Sequence, residues 1–250
     1  MLPALFAPLG LLIGSFLNVV AYRVPRGESI VKPRSRCTTC GTEVRSIDNI
    51  PLISWIVLRG RCRHCSAHIS ARYPVVELAT GVVFALVAIA RGPSPELLVD
   101  LPFAAMLIAV ANIDLEHHIV PNRILAPLAV WALAASAAIQ PEKLPELLIA
   151  GAAAFTFLLV AAVIHPAGMG MGDVKLGGVM GLYLGLSVAP GFFVAFLAGS
   201  VVGIGIMLRH GAGGRKRGIP FGPFLALGGL VALLIGPELI DLYSNAFLSR

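Results

Sequence analysis

The sequence predicts an all-α membrane protein with about eight transmembrane helices and one large polar loop. Of its 250 residues, 57% are hydrophobic and only 13% are charged, whereas soluble domains carry about 25% charged residues. The apolar residues recur in blocks along the chain, whereas a secretory signal would be one short apolar run followed by ordinary sequence. We therefore expect the chain to cross a membrane several times.

The predicted spans follow from the lengths of these apolar blocks, because a helix needs ~20 mostly apolar residues to cross the hydrocarbon core. Residues 176–208 carry no charge, and at ~1.5 Å per residue they are too long for a single crossing. The turn-forming residues Ala189, Pro190 and Gly191 predict a break within this run. The predicted spans are 2–22, 73–90, 97–113, 120–139, 145–164, 176–188, 190–208 and 219–236.

The positions of Lys and Arg predict which loops face the cytoplasm, where short loops are rich in basic residues. The segments on one side, 23–72, 114–123, 165–175 and 209–218, together hold sixteen of the nineteen basic residues. Both termini are then expected on the opposite side, outside the cytoplasm. This topology accounts for the net charge of +6, so no nucleic-acid partner is expected.

All four cysteines lie in the polar segment 23–72 as two Cys-x-x-Cys pairs, Cys37 with Cys40 and Cys62 with Cys65. Such pairs can place four thiolates around one tetrahedral ion, and their spacing is close to the zinc-ribbon pattern. Four protein ligands close the coordination shell, so the predicted zinc is structural rather than catalytic. The segment is therefore expected to be a cytoplasmic zinc-ribbon-like loop domain.

Histidines offer competing metal ligands at two places in the chain. His64 and His68 could replace a cysteine at the zinc, and the four cysteines could instead be free thiols or contain a redox pair. Glu116, His117 and His118 do not form a His-Glu-x-x-His motif, and adjacent helical histidines point about 100° apart. Polar residues at the membrane interface are the simpler interpretation of these three.

Asp114 and Asp173 are the candidate catalytic residues, because ionisable groups at membrane spans are costly and usually functional. Asp114 ends one predicted span, and Asp173 follows Gly170 and Gly172 in the loop 165–175 on the same side of the membrane. Two carboxylates that lie close together share a proton, so that one acts as an acid and the other as a base towards a water molecule. The alternatives are a helix N-cap for Asp173 and a solvated helix end for Asp114.

Several blocks of the sequence resemble those of one enzyme family. Gly-x-Gly-Asp at 170–173 is similar to the signature of intramembrane aspartyl proteases. Other blocks resemble those of type IV prepilin peptidases, and they follow one another in order through most of the chain. These blocks are 14–29, 48–55, 59–62, 114–122, 170–175 and 219–224.

This resemblance implies a bifunctional enzyme of the bacterial cytoplasmic (inner) membrane. Its peptidase activity would cleave the leader of type IV prepilins or pseudopilins at the cytoplasmic face. The resemblance implies that Asp114 and Asp173 are the catalytic residues. Supporting residues of the catalytic motif would be Gly170, Gly172 and Lys175. Its second activity would methylate the new N-terminal residue with S-adenosylmethionine, and the large cysteine-containing loop goes with this activity. The residues that bind this cofactor are not identified by the sequence, which has no glycine-rich Rossmann fingerprint in the loop.

Three polar residues beside the first predicted span, Asn18, Arg23 and Glu28, could contact a cofactor or a substrate. For Asn18 an interhelical hydrogen bond is the preferred interpretation, because such bonds are common between membrane helices. No motif assigns a ligand to any of the three.

The predicted domains are a first transmembrane helix at 1–22, a cytoplasmic four-cysteine zinc-binding loop domain at 23–72 and a transmembrane aspartyl peptidase core at 73–250. The main rival interpretation is a transporter or channel in which Asp114 and Asp173 relay protons or cations. The cysteine-containing loop and the lack of a visible internal repeat argue against it. A third interpretation is a membrane assembly factor without catalytic activity.

Overall fold

The computed structural model describes residues 2–165, 168–210 and 220–247. Most of the predicted basic loop 209–218 lies outside these residues, as do Ile219, where the last predicted span begins, and Arg250. The chain forms two compact units, Met1–Leu97 and Leu98–Arg250. The first unit contains every cysteine, and the second contains both candidate catalytic aspartates.

The described residues form nine α-helices and no β-strand. A short 3₁₀ turn at Ser46–Asn49 precedes the second helix, and another at Pro141–Lys143 precedes the sixth. The helices are α1 (Leu2–Arg23), α2 (Ile53–Val57), α3 (Arg72–Arg91), α4 (Leu97–His117), α5 (Asn122–Ile139), α6 (Leu144–Ile164), α7 (Met171–Leu184), α8 (Val188–His210) and α9 (Gly222–Phe247).

The predicted all-α membrane fold is confirmed. Seven helical segments in the described part of the chain are long and apolar enough to cross a membrane. One of them, Met171–Arg209, contains both α7 and α8, so each of the eight predicted spans corresponds to a helix. The apolar blocks therefore predicted the eight long helices and their order, whereas the short helix α2 lies within the predicted polar segment.

The predicted position of the break between α7 and α8 is wrong. The break is a 3₁₀ turn at Gly185–Ser187, and α8 already begins at Val188. Gly185 has a φ of +57°, a conformation that glycine adopts without a steric penalty. Pro190 lies in the first turn of α8, where backbone N–H groups have no intrahelical acceptor. Proline, which has no backbone N–H, therefore sacrifices no hydrogen bond at this position. Pro190 therefore belongs to a helix start rather than to a turn.

Glycines at the interface let α1 and α3 of the first unit pack closely. A Cβ atom at Gly10 would lie 2.6 Å from the carbonyl oxygen of Thr80, and one at Gly14 would lie 2.7 Å from Cα of Glu77. Small residues allow membrane helices to approach in this way. Asn18 adds a hydrogen bond from its side-chain amide to the carbonyl oxygen of Tyr73 at 3.1 Å, which confirms its interpretation as an interhelical donor.

Buried polar side chains hold the segment between α1 and α3 against these two helices. Arg23 at the end of α1 is buried and donates to the carbonyl oxygens of Ser29 at 2.9 Å and Pro33 at 2.7 Å. Glu77 of α3 accepts the N–H of Leu52 at 2.8 Å. Because buried polar groups need partners, these bonds fix where the polar segment lies on the helices.

In the second unit, α4 is buried along most of its length, and Phe103 and Leu107 are fully buried. The ring of Phe103 stacks on that of Tyr183 in α7, with centroids 4.5 Å apart. A Cβ atom at Gly229 of α9 would lie 2.8 Å from Leu107, so α9 also packs tightly against α4. This packing brings the C-terminal end of α4, which carries Asp114, together with α7 and α9.

We expect the Gly10→Ala variant to unfold at a lower temperature than the wild type, because the new methyl group would collide with the backbone of α3. Overpacking of this kind costs about 1–3 kcal/mol, more than alanine gains over glycine in helix propensity, which is about 1 kcal/mol. The measurement is the thermal unfolding of the purified protein in detergent.

The matched control for this experiment is Gly203→Ala in α8, where an added Cβ atom meets no atom within 4 Å. This variant should be as stable as the wild type or slightly more stable. Equal stability of the Gly10→Ala variant and this control would contradict the close packing of α1 on α3.

Candidate active site and metal centre

Asp114 lies in the last turn of α4 and is 4% exposed. Its Oδ2 atom accepts a hydrogen bond of 2.9 Å from the backbone N–H of Gly222, the first residue of α9. The sequence predicted that a span ends at this residue, but α4 continues to His117. Asp114 is therefore a buried, oriented helical residue, and the solvated helix end considered for it is wrong.

Asp173 lies in the first turn of α7 rather than in the predicted loop, and it is 9% exposed. Gly170 occupies the N-cap position, so the N-cap alternative for Asp173 is wrong. The Asp173 side chain instead reaches back to this cap, and its Oδ2 atom accepts the N–H of Gly170 at 3.2 Å. A side chain at this helical position commonly satisfies an N-terminal N–H group in this way.

The fold brings the two carboxyl groups within electrostatic range of each other. Asp114 stands at the C-terminal end of α4, whereas Asp173 and Gly222 stand at the N-terminal ends of α7 and α9. The N-terminal end of a helix favours negative charge, so α7 and α9 provide a favourable environment for at least one carboxylate. The Oδ2 atom of each carboxyl group accepts a backbone N–H, and the Oδ1 atom takes no part in these two hydrogen bonds.

Close packing at Gly172 requires a residue without a side chain. A Cβ atom there would lie 2.8 Å from Cβ of Val120, in the connection between α4 and α5. A Cβ atom at Gly170 would come no closer than 3.5 Å to Asp173, which is an ordinary contact. Gly172 therefore lets the connection after α4 approach the start of α7, next to both aspartates.

Lys175 binds the start of α5 rather than either candidate catalytic residue. Its Nζ atom donates to Oδ1 of Asn122 at 3.2 Å, on the exposed surface. This bond ties α7 to α5 close to the turn that carries Asp173. Lys175 can thus support the motif by holding these helices together.

The four cysteines converge as the sequence predicted, although they belong to two separate loops. Their Sγ atoms all lie within 4.8 Å of one another, and those of Cys37 and Cys65 are 3.8 Å apart. A tetrahedral ion with Zn–S bonds of ~2.3 Å requires sulfur atoms separated by about 3.8 Å. Among the described residues, neither His64 nor His68 joins this cluster, which favours the cysteines as the ligands.

The two cysteine turns have the same backbone structure. The N–H of Gly41 bonds to the carbonyl oxygen of Cys37, and the N–H of Ser66 bonds to that of Cys62, each at 2.9 Å. Gly41 and Ser66 have φ values of +72° and +58°. An isolated β-bridge closes each turn from outside. Each turn thus contributes two thiols to one cluster, an arrangement that suits a single ion.

The electrostatics of the cluster also fit a cation. Backbone N–H groups within each turn lower the pKa of Cys37 and of Cys62. The N–H of Ala67 acts in the same direction on Cys65, but desolvation and the three other sulfurs raise the pKa of Cys65 to about 11. Four thiols brought together therefore resist full ionisation, and a bound cation would remove that resistance. The cluster can hold a metal ion.

Comparisons with known proteins divide the chain in the same way as the fold. Residues 9–91 match the model of the bacterial peptidase A24 N-terminal domain, and residues 101–208 match that of the type IV leader peptidase family. A prepilin leader peptidase/N-methyltransferase of Bacillus subtilis (strain 168) is 37% identical over 94% of each chain.

The chain belongs to the type IV leader peptidase family. Prepilin leader peptidase/N-methyltransferases of two other bacteria are similar over nearly their whole length. The Aeromonas hydrophila protein is 34% identical over 95% of this chain and 92% of its own, and the Stutzerimonas stutzeri protein is 35% identical over 94% and 91%. No solved structure matches this chain, and none of these relatives supports the transporter alternative.

In this member of the leader peptidase family, Gly222 is a site residue that sequence reasoning did not single out. It lies outside the matched range 101–208, within a block that the sequence showed only as a resemblance. A Cβ atom at Gly222 would lie 2.7 Å from Oδ2 of Asp114, so glycine is what lets the N–H reach the carboxylate. Only the fold reveals this contact between residues 114 and 222, which are far apart in sequence.

We expect the purified protein to retain about one metal ion per chain, because four thiols arranged for one ion bind it with a closed shell. The Cys62→Ser variant should lose most of this metal, since a hydroxyl is a poor replacement for a thiolate. The measurement is elemental analysis together with titration of reactive thiols.

The control is Thr38→Ser, which changes an exposed side chain in the same loop and should retain the metal. A protein without metal whose thiols all react freely would contradict the metal site.

Proposed function

We propose that this protein is a membrane aspartyl endopeptidase that removes the leader peptide of type IV prepilins or pseudopilins and then methylates the new N-terminal residue. The observation that carries the proposal is the pair of buried, oriented carboxyl groups at one end of the second unit, in a chain of the leader peptidase family. Its relatives bear names that state both activities.

Asp114 and Asp173 are the proposed catalytic residues. The ionised carboxylate takes a proton from a water molecule, and the protonated carboxyl donates to the oxygen of the scissile carbonyl as that water attacks the carbon. The carbon–nitrogen bond then breaks, and the leaving amine takes up a proton. The two groups share one proton and titrate as a pair, so the acid and base roles are assigned to the pair.

The proposed location is the bacterial cytoplasmic (inner) membrane, with the aspartates at the cytoplasmic face and both termini outside. The excess of basic residues in 23–72 supports this orientation. A cytoplasmic site is also where a short basic leader would remain after insertion. We retain the division into a first helix at 1–22, a loop domain at 23–72 and a peptidase core at 73–250.

We propose zinc as the ion of the cysteine cluster, because four thiolates with tetrahedral spacing suit it. Its role would be structural, since the four cysteines fill the coordination shell. The cytoplasm keeps thiols reduced, which leaves them free to bind the metal. The ion would hold the two cysteine turns together and thereby stiffen the polar segment of the first unit.

The proposed methyl donor is S-adenosylmethionine, which carries an activated methyl group on a sulfonium. In the transfer, a nitrogen–carbon bond forms at the new N-terminal amine, the carbon–sulfur bond breaks with its electrons going to sulfur, and the amine loses a proton. This second activity is supported by the N-methyltransferase names of the relatives and by the match of the first unit to the family's N-terminal domain.

We expect Asp114→Asn and Asp173→Asn each to abolish leader cleavage when the protein is co-expressed with a prepilin. Asparagine keeps an oxygen that can accept the N–H of Gly222 or Gly170, so each variant removes the titratable group while preserving the hydrogen bond. The readouts are the electrophoretic mobility of the pilin and the mass of its N-terminal peptide, which also reports methylation.

Asp241→Asn in α9 is the matched control, because this carboxyl group is exposed, and its variant should cleave normally. Processing by either active-site variant would refute the catalytic pair. A mature pilin that is cleaved but never methylated would reduce the function to that of a peptidase.

Gly222→Ala should lower the kcat/KM of cleavage about ten- to hundredfold, because the new methyl group displaces the Asp114 carboxylate from its N–H donor, and a hydrogen bond to a charged group contributes about 1.5–3 kcal/mol. The comparison variant is Gly199→Ala, whose Cβ atom would meet only ordinary contacts at 3.5 Å or more. Wild-type cleavage by Gly222→Ala would show that this hydrogen bond does not position Asp114.

A further inference from the structure

The short helix α2 has two different faces, and one of them is fixed inside the first unit. Ser54 is buried, donates its hydroxyl to the carbonyl oxygen of Ile47 at 2.9 Å and accepts the N–H of Ile50 at 3.0 Å. The indole N–H of Trp55 donates to the carbonyl oxygen of Ile69 at 3.0 Å. Both side chains also line a cavity of about 650 Å³ whose walls include α1 and α3. This face of α2 is therefore held by its own unit.

The other face of α2 is apolar and exposed. Ile53, Ile56 and Val57 follow the i, i+3, i+4 spacing of one helical face, and their exposed fractions are 59%, 66% and 68%. Ile47 and Ile50, which precede the helix, are exposed as well. Contiguous exposed apolar side chains of this size mark interaction surfaces. We call Ile53, Ile56 and Val57 the α2 face and ask what covers it.

The segment 52–60, which contains α2, runs beside the beginning of α3. At one end of the segment, the N–H of Leu52 donates to the side chain of Glu77 at 2.8 Å. At the other end, the carbonyl oxygen of Gly60 accepts the N–H of Ile69 at 2.7 Å, shortly before α3 begins. The segment is thus antiparallel to residues 69–77 and tied to them at both ends.

The apolar surface of α3 begins at this same level. α3 is long and apolar enough to cross a membrane, and Val75 and Leu78, on either side of Glu77 in sequence, are exposed apolar residues. Tyr73 at the start of α3 is also exposed, and tyrosine is common at the boundary between membrane and water. The lipid that surrounds the start of α3 is therefore the apolar phase nearest to the α2 face.

The charge of this part of the chain suits an anionic membrane surface. Residues 49–76 contain four arginines and no acidic residue. Two of them, Arg59 and Arg61, directly follow α2 and are exposed. Basic residues next to a membrane helix are attracted to anionic phospholipid headgroups. An apolar helical face combined with neighbouring basic side chains is typical of a segment that lies in the membrane interface.

We propose that α2 is an interfacial anchor, which inserts Ile53, Ile56 and Val57 among the acyl chains of the bilayer and binds anionic phospholipid headgroups through Arg59 and Arg61. The anchor holds the cysteine-containing segment against the membrane surface. This role is separate from leader cleavage and from methylation, and it does not depend on either activity.

A prepilin and a second copy of this chain are the other occupants to be tested for the α2 face. Lipid is favoured because α2 is tied to a membrane-crossing helix at the level where its exposed apolar side chains begin. The charge also favours lipid, since the arginines that follow α2 complement phosphate groups and would repel a basic leader.

The test is site-specific photo-crosslinking of the full-length protein in nanodiscs of phosphatidylethanolamine and phosphatidylglycerol, with and without a prepilin. A benzophenone amino acid in place of Ile56 should form lipid adducts about as often as the same probe in place of Leu86, an exposed residue well inside α3. In place of Thr38, an exposed polar residue of the same segment, it should give about tenfold fewer, because that side chain favours water. Mass spectrometry identifies the adducts.

A variant without the apolar face provides a second measurement. With the probe in place of Ile53, the combined change Ile56→Ser and Val57→Ser should lower the lipid adduct about tenfold, because binding to the interface scales with buried apolar area. The matched control is Val31→Ser, which removes an exposed aliphatic side chain outside α2 and should leave the adduct unchanged. An unchanged metal content in every variant shows that the segment is folded.

The headgroup contact is tested by the combined change Arg59→Gln and Arg61→Gln. The share of phosphatidylglycerol among the lipid adducts at Ile56 should fall to its share in the nanodisc, because the remaining apolar contact does not select a headgroup. An unchanged enrichment of phosphatidylglycerol overturns the assignment of headgroup binding to these arginines.

Three outcomes overturn the anchor itself. Equal lipid adducts at Ile56 and Thr38 show that the α2 face lies in water. Adducts with the prepilin in place of lipid assign the face to the substrate, and cross-linked dimers in place of lipid adducts assign it to a second copy of the chain.

Discussion

The second unit depends on how two carboxyl groups are kept inside an apolar helical bundle. A buried carboxylate is unfavourable unless it is hydrogen-bonded or compensated. Here Asp114 and Asp173 each accept a backbone N–H at the start of a helix, from Gly222 and Gly170. Backbone donors at helix starts have no intrahelical partner, so these bonds satisfy donor and acceptor together. They also fix the orientation of both carboxyl groups through backbone donors.

The first unit applies the same physical rule to a polar segment. Buried Arg23 and Glu77 extend from the two helices and bind backbone groups of the intervening chain, so this segment is held to α1 and α3 from both sides. The cysteine cluster brings two further turns of the segment together. These interactions create a cavity whose walls come from both helices and the loop. A site of this kind requires all three parts to be folded.

Periodic and local features were predictable because they depend on residues close in sequence. The apolar blocks predicted every long helix, and the two Cys-x-x-Cys pairs predicted the cluster. The predicted break before α8 was misplaced because proline is common both in reverse turns and at the start of a helix. Which of the two Pro190 adopts depends on the structure of the residues that flank it. The ends of α4 and α7 were misplaced because polar residues continue each helix past the apolar run, carrying Asp114 and Asp173 into helices rather than loops.

The sequence by itself determined the membrane architecture, the candidate aspartates and the candidate metal ligands, because composition and short spacings carry that information directly. The tertiary structure decided which backbone groups orient the aspartates and which side chains share a cavity. The contact of Asp114 with Gly222 and that of Glu77 with Leu52 join residues far apart along the chain. No local pattern encodes such contacts, since they exist only once the helices have packed.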